Sequence, residues 1–86
     1  MRFKMAEVTF YGAEWCSDCR RSKTLLNTLE VQFEMKDLEQ DAHLAAEAEG
    51  ISGRKNIPVV LFKDGTHLVE PSDAELTAAL TERGLI

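Results

Sequence analysis

Apolar residues recur along this chain with two periodicities, one typical of strands and one typical of helices. Each change of periodicity marks the boundary of an expected element. Four short stretches are rich in β-branched and aromatic residues or alternate between apolar and polar positions, which is typical of strands. They occupy residues 7–11, 33–38, 58–62 and 66–69. The run over 58–62 is the most apolar. We therefore expect it in the centre of a sheet, started by Pro58, with 33–38 near an edge.

Helical spacing appears in the intervals between these strands. The first helix is expected to open at Cys16, because small and apolar residues then recur three or four positions apart. These residues are Cys19, Ser22, Leu26 and Leu29. A second, shorter helix is predicted over residues 42–49, with Asp41 as its N-cap and Gly50 as its end.

Two local sequence signals predict the secondary structure of the last third of the chain. Asp64-Gly65 is typical of a tight hairpin turn, so the stretch that follows it is expected to return antiparallel to the preceding strand. Ser72 followed by Glu75 has the spacing of a capping box and predicts the start of a third helix. Gly84 is expected to end that helix.

The resulting order of elements is β-α-β-α-β-β-α. Its first half is a βαβ unit, which requires two parallel strands joined by a crossover, and its second half is a β-hairpin followed by a helix. We therefore predict one domain over residues 1–86, of the α/β class, with a four-stranded mixed sheet and helices on both faces. A domain of this size is expected to present a shallow surface site to its substrate.

The charge balance excludes one class of partner. The net charge is −5, and the short basic pairs are Arg20-Arg21 and Arg54-Lys55, whereas nucleic-acid binding requires clustered Lys and Arg.

No apolar run approaches the ~20 residues that cross a membrane, and residues 1–7 lack the apolar core of a signal peptide. We therefore expect a cytoplasmic monomer that binds neither nucleic acid nor membranes.

The two cysteines, Cys16 and Cys19, form a C-x-x-C motif directly after a predicted strand. A disulfide across so short a loop is a poor structural staple, and in a cytoplasmic protein this motif indicates reversible redox chemistry. Cys16 is expected at the helix N-cap, where unpaired backbone N–H groups and the helix dipole favour the thiolate. Cys19 lies on the apolar face one turn later, so we expect it to be the buried, resolving thiol.

The neighbours of Cys16 are expected to tune the acidity of its thiol. Asp18, which stands between the cysteines with Ser17, opposes thiolate formation, whereas Arg20 and Arg21 favour it. The alternative is that Asp18 and one of these arginines simply neutralise each other at the surface. The sequence leaves the sign of the net effect open.

Two other interpretations of the cysteine pair stay open. One is a structural pair without chemistry. The other is half of a zinc site, for which only His43 and His67 remain as further nitrogen ligands. Neither histidine stands at a spacing typical of zinc ligands, so we predict no bound metal.

Nearly the whole chain resembles the glutaredoxin branch of the thioredoxin superfamily. The resemblance rests on the strand EVTFY, on WCSDC at a helix start, on 56–60 before the Asp64-Gly65 hairpin, and on Pro71-Ser72-Asp73 before the last helix. Within that branch it is most similar to the mycoredoxin type, which serves bacteria that use mycothiol in place of glutathione. The resemblance implies a thioredoxin/glutaredoxin-like fold.

The resemblance also assigns roles around the cysteines. It implies that Pro58 follows a cis peptide bond and lies against the nucleophilic sulfur, and that the backbone of Ile57 pairs with an extended thiol substrate. The helix start at Ser72 and Asp73 would hold the polar end of that substrate, in keeping with the affinity of helix N-termini for anions. Trp15 either shields the site for a docking partner or packs within the fold.

We therefore expect a thiol–disulfide oxidoreductase that uses Cys16 to reduce mixed disulfides between proteins and a low-molecular-weight thiol, mycothiol or glutathione. The small thiol is a co-substrate, and no bound cofactor is expected. Glu14, Asp18 and Glu70 form an acidic rim that disfavours glutathione, which carries two carboxylates. One alternative is a two-cysteine reductase of a dedicated protein partner, recharged by thioredoxin reductase. Another is a carrier of iron–sulfur clusters through Cys16 and external thiols.

Overall fold

The computed structural model describes residues 7–86, so most of the segment considered above as a targeting peptide lies outside the described residues. The elements follow the predicted order. They are β1 (Val8–Gly12), α1 (Ser17–Thr28), β2 (Phe33–Asp37), α2 (His43–Ser52), β3 (Val59–Phe62), β4 (His67–Val69) and α3 (Asp73–Glu82). None of the helices within residues 7–86 is long and apolar enough to cross a membrane.

The four strands form one mixed sheet in the order β2-β1-β3-β4. Strand β1 pairs in parallel with β2, with Val8 opposite Phe33, and antiparallel with β3, with Val8 opposite Phe62. Strands β3 and β4 form the antiparallel hairpin that Asp64-Gly65 predicts. The prediction of a mixed sheet with β3 inside and β2 at an edge is confirmed.

The alternation of side chains along β1 and β3 divides the core between the two faces of the sheet. On one face, Val8 and Phe10 pack with Leu26 of α1 and with Leu76 and Leu80 of α3. The other face is covered by α2, whose Ala48 packs against two buried strand residues, Tyr11 and Val59. Helices therefore lie on both faces of the sheet. Because the apolar face of α1 packs against the sheet, it fixes the orientation of the first turn of that helix.

The capping box of α3 is confirmed, because Ser72 Oγ accepts from the Glu75 N–H and Glu75 Oε1 accepts from the Ser72 N–H. The predicted bounds of α2 are wrong at its C-terminal end. The helix continues through Gly50 and ends before Gly53, which takes the left-handed conformation at φ 77°. A glycine in that conformation is the commoner helix stop, whereas Gly50 merely lowers helix propensity.

The N-terminal end of α2 also differs from the prediction. Its N-cap is Ala42, which makes no side-chain capping bond. Asp41 nevertheless acts on the first turn, because its Oδ1 accepts the backbone N–H of His43 at 2.9 Å.

Candidate active site

Cys16 is held at the point where the loop after β1 becomes helix α1. A turn, closed by a bond from the Cys16 N–H to the Ala13 carbonyl at 3.2 Å, brings the chain from the sheet to the helix. Cys16 is then the N-cap residue in an extended conformation, and its Sγ accepts the backbone N–H of Cys19 at 3.2 Å. The side chain is partly exposed. A sulfur in this position faces the positive end of the helix dipole and can be reached by a disulfide.

Cys19 lies one turn further on and is only 2% exposed. Its side chain belongs to the core cluster that includes Leu26 and Phe10. Burial, reinforced by its hydrogen bond with Cys16, raises the pKa of the Cys19 thiol from 9.0 to about 12. The two sulfurs are therefore chemically unequal, with Cys16 accessible and Cys19 a buried, protonated thiol.

Gly12, the last residue of β1, makes room for Cys19. A Cβ built on Gly12 would lie 3.0 Å from the Cys19 Sγ and 2.8 Å from a ring carbon of Phe10. The strand therefore approaches the buried sulfur at a distance that only glycine allows. Sequence reasoning missed this contact, although a glycine at the end of a strand just before the motif was the available signal.

The loop before β3 closes the other side of Cys16. The Ile57–Pro58 peptide bond is cis, as the resemblance implied. The Cys16 thiol donates a weak hydrogen bond, 3.9 Å long, to the Ile57 carbonyl oxygen. Pro58 is fully buried, and its carbonyl accepts the Glu70 N–H. The structure thus brings the Ile57 carbonyl, just before the cis proline, to Cys16, although the two residues lie 41 positions apart in the chain.

The charged residues of the first turn are already engaged with partners. Asp18 forms an ion pair with Arg21 at 2.9 Å, and Arg20 donates from Nη1 to the Glu14 carbonyl at 2.5 Å. Ser17 is exposed at the first position of α1. Mutual neutralisation of Asp18 and an arginine, one of the two predicted alternatives, is the arrangement observed.

Ser72 and Asp73 lie beside α1, because Arg21 connects the two helices. Arg21 Nη2 donates to the Pro71 carbonyl at 3.1 Å, and Nε lies 3.3 Å from Asp73 Oδ1. Sequence reasoning considered Arg21 only for its charge. No local sequence signal relates Arg21 to Asp73, which lies 52 positions away, so this contact could not be predicted from the sequence.

Trp15 immediately precedes Cys16 and is 69% exposed. Of the two roles considered for it, packing within the fold is therefore wrong for the described structure. An exposed indole beside a reactive sulfur is a suitable contact for a partner, since Trp is enriched where interfaces concentrate binding energy.

The glutaredoxin family model matches residues 8–68, which extend from β1 to β4 and include the C-x-x-C motif and the cis-proline loop. The chain belongs to the glutaredoxin family. Members of this family are thiol–disulfide oxidoreductases, and so is this glutaredoxin. Low-molecular-weight thiols serve the family as co-substrates. The matched segment covers the cysteines and the cis-proline loop and ends before Ser72 and Asp73.

Several relatives support this membership. This glutaredoxin is 33% identical over 78 residues to Mycoredoxin 1 of Corynebacterium glutamicum, covering 88% of this chain and 95% of the relative. It is 35% identical over 79 residues to a Mycobacterium tuberculosis protein that carries the glutaredoxin name, covering 90% and 93%. The crystal structure of a glutaredoxin from Archaeoglobus fulgidus superposes with a TM-score of 0.76 at 29% identity, covering 86% and 85%. The predicted family and the predicted fold are confirmed.

A zinc site at the cysteine pair would need further ligands, and the part of this glutaredoxin that the structure describes does not group such ligands around the cysteines. Within residues 7–86, no three side chains of His, Cys, Asp or Glu are grouped as metal ligands. His43 and His67, the two further ligands considered, are both exposed, and His43 lies beside Asp41. The Cys16 sulfur instead forms hydrogen bonds with the backbone N–H of Cys19 and the carbonyl of Ile57.

Proposed function

We propose that this glutaredoxin reduces mixed disulfides between proteins and a low-molecular-weight thiol, with Cys16 as the nucleophile and a second small-thiol molecule as the reductant. The observation that carries the proposal is the inequality of the two sulfurs. Cys16 is partly exposed and accepts a backbone N–H, whereas Cys19 is buried and has a raised pKa. One reactive and one sheltered thiol suit a reaction in which a single protein sulfur exchanges with external thiols.

In the first step, the Cys16 thiolate attacks the small-thiol sulfur of the mixed disulfide. The new bond joins Cys16 to the small thiol, the old disulfide bond breaks, and the protein sulfur leaves as a thiolate that takes a proton from water. In the second step, a free small thiolate attacks the small-thiol sulfur on Cys16. This step releases the disulfide of the small thiol and regenerates the Cys16 thiolate. Overall, one protein cysteine is reduced while the small thiol is oxidised.

Cys19 is a slow competitor for the second step. Burial raises the pKa of the Cys19 thiol and so disfavours its thiolate, which is the attacking species. Within the described structure, the hydrogen-bonding neighbours of the Cys19 side chain are the Cys16 sulfur and the Ala13 backbone. We therefore assign Cys19 a supporting role, in which its backbone N–H holds the Cys16 sulfur.

The small thiol is proposed to lie between the cis-proline loop and the start of α3. The backbone of Ile57 beside Pro58 would pair with its extended cysteine moiety, and Ser72 and Asp73 would contact its polar end. Ile57 is in place for this role, because its carbonyl oxygen already lies 3.9 Å from the Cys16 sulfur. The exposed indole of Trp15 would contact the protein half of the disulfide.

A cavity of about 380 Å³ extends from this loop toward α2 and offers room for the bulkier part of the substrate. Its lining combines small side chains of α2, such as Ala45 and Ala46, with Ile57 and the basic pair Arg54 and Lys55. The two cations would attract an anionic partner to this side of the nucleophile.

We propose mycothiol as the physiological thiol. The relative in Corynebacterium glutamicum is a mycoredoxin by name. The electrostatic argument against glutathione is weaker than the sequence suggests, because Glu14 is paired with Lys23, which lowers the pKa of its carboxyl, and Asp18 is paired with Arg21. Glu70 accepts a hydrogen bond from the neutral amide of Asn56.

The setting proposed for this reaction is the cytoplasm, where small-thiol pools keep protein thiols reduced. The partners would be S-thiolated proteins, and the working unit one chain that acts as a single domain over residues 1–86. The exposed position of Cys16 supports this, since a protein disulfide can reach it without a second subunit.

The proposal is tested by turnover of a cysteine-containing peptide in mixed disulfide with mycothiol, and of the same peptide with glutathione. Each reaction is coupled to the reductase of the corresponding thiol. The expected result is rapid NADPH-dependent reduction with the mycothiol pair, slower reduction with the glutathione pair, and none with Cys16→Ser. NADPH consumption with thioredoxin reductase alone would contradict the proposal in favour of the two-cysteine reductase. A brown, dimeric anaerobic preparation would instead support the cluster carrier.

A further inference from the structure

One guanidinium group connects the redox helix to the start of the last helix. Arg21 Nη1 lies 2.9 Å from Asp18 Oδ1, within the C-x-x-C motif, and Nε lies 3.3 Å from Asp73 Oδ1. Its Nη2 donates to the Pro71 carbonyl at 3.1 Å. All three nitrogens of the group are therefore used, and the planar fork of arginine is suited to such an arrangement, whereas lysine offers only a point charge.

The contribution of these contacts to folding is small. The side chains of Arg21, Asp18 and Asp73 are 45%, 41% and 54% exposed, and ion pairs at such positions add little to stability. Their effect on the local field is larger, because two carboxylates lie beside one cation. Without Arg21, the charge of this cluster would change from −1 to −2, and the cluster includes Asp73, one of the two proposed contacts for the polar end of the substrate.

We propose that Arg21 is a specificity-determining residue of this glutaredoxin: it offsets one of the two negative charges of Asp18 and Asp73 and thereby limits how strongly the site discriminates against a small thiol with carboxylates. This inference rests on the proposed mixed-disulfide reaction. Within residues 7–86, the side-chain hydrogen bonds and ion pairs of Arg21 go to Asp18, Pro71 and Asp73, so we infer that it acts through the charge of the two aspartates. Removal of the Arg21 charge is expected to lower kcat/KM for a mixed disulfide of a charged small thiol and to leave kcat/KM for that of a neutral thiol unchanged.

The test measures kcat/KM for two mixed disulfides of the same peptide, one with glutathione and one with uncharged 2-mercaptoethanol. In Arg21→Gln, the ratio of the glutathione value to the uncharged value is expected to fall about five-fold at low ionic strength. One additional charge at about 7 Å, in a dielectric between those of water and the protein surface, has an effect of that size. The ratio is expected to recover at high salt, where surface charges are screened. Because the uncharged substrate appears in the ratio, any effect common to both reactions cancels.

Three further variants distinguish an effect of the Arg21 charge from an effect of its structural contacts. Arg21→Lys keeps the charge and is expected to keep the ratio near that of the wild type. The double variant Arg21→Gln with Asp18→Asn returns the charge of the cluster to −1 and is expected to restore it. Lys63→Gln makes the same change in net charge at the opposite end of the sheet, where Lys63 pairs with Glu7 at 3.7 Å, and is expected to leave the ratio unchanged.

An equal loss for both disulfides in Arg21→Gln, or a loss in Arg21→Lys as large as in Arg21→Gln, would overturn the inference and reduce Arg21 to a structural contact. An unchanged ratio would overturn it as well. Failure of the underlying reaction would be recognised separately, because the wild type would then turn over neither mixed disulfide.

Discussion

Cys19 donates its backbone N–H to the Cys16 sulfur at 3.2 Å, while its own thiol is only 2% exposed. Cys19 thus holds the Cys16 sulfur with its main chain, while its own side chain is buried away from solvent. This division follows from the helix geometry, because the residue three positions after an N-cap supplies the capping N–H and also points toward the core. The predictions below depend on this arrangement.

The close approach of Gly12 to Cys19 predicts a strong effect of a single methyl group. In Gly12→Ala, the new Cβ would lie 3.0 Å from the Cys19 Sγ and 2.8 Å from Phe10, so strand or helix must shift. We expect a loss of about 1–3 kcal/mol in the free energy of unfolding, as for other overpacked cores. Urea unfolding under reducing conditions measures it.

Gly50→Ala is the matched control. Gly50 lies within α2, and a Cβ there would meet no atom within 4 Å. Alanine should therefore stabilise the protein by about 0.5–1 kcal/mol through helix propensity. Equal effects of the two substitutions would show that Gly12 is not packed against Cys19.

Trp15 is predicted to serve binding rather than folding. Because its side chain is 69% exposed, Trp15→Ala should change the free energy of unfolding by no more than about 0.5 kcal/mol. The KM for an S-thiolated protein should rise several-fold, whereas turnover of a small mixed disulfide should be nearly unchanged. Steady-state kinetics with both substrates make the comparison. A large loss of stability would instead indicate that the indole packs in solution.

Stability is expected to fall as the pH rises above about 9. The Cys19 thiol ionises near 9.0 in the unfolded chain but only near 12 in the folded one. Between these values the folded state binds more protons, so the free energy of unfolding decreases with pH. Burial also raises the pKa of Tyr11, whose hydroxyl bonds to Glu47, and it adds to the decrease above pH 10.0.

The contribution of Cys19 can be isolated with Cys19→Ala. Between pH 9 and 10, urea unfolding of this variant should show a shallower dependence on pH than the wild type, whatever its stability at neutral pH. An identical slope would mean that the Cys19 thiol is accessible to solvent in the folded state.

The fold was predictable because its signals are local. The Ser72–Glu75 capping box and the Asp64-Gly65 turn each involve residues within a few positions of one another, and both are present as expected. The end of α2 was missed for the opposite reason. Gly50 and Gly53 are both plausible stops in the sequence, and only the left-handed backbone at Gly53 distinguishes them.

The site was predictable only in part, since its chemistry is local but its surroundings are not. The placement of Cys16 at the N-cap of α1 and the burial of Cys19 one turn later were predicted from the motif and the expected helix start. The contact of Gly12 with Cys19 requires the packing of β1 against α1, and that of Arg21 with Asp73 joins residues on two helices. No periodicity or spacing carries such information, because it arises only when the sheet and helices are assembled.

The proposed mechanism makes Cys16 indispensable and Cys19 replaceable. Its most direct test is the turnover of a protein–mycothiol mixed disulfide by Cys19→Ser, measured beside Cys16→Ser and the wild type. Cys19→Ser keeps the backbone N–H that holds the nucleophile, so it should retain at least about a third of the wild-type rate, whereas loss of the nucleophile should abolish the reaction. An inactive Cys19→Ser variant that is folded would contradict the single-cysteine mechanism and show that Cys19 resolves the intermediate.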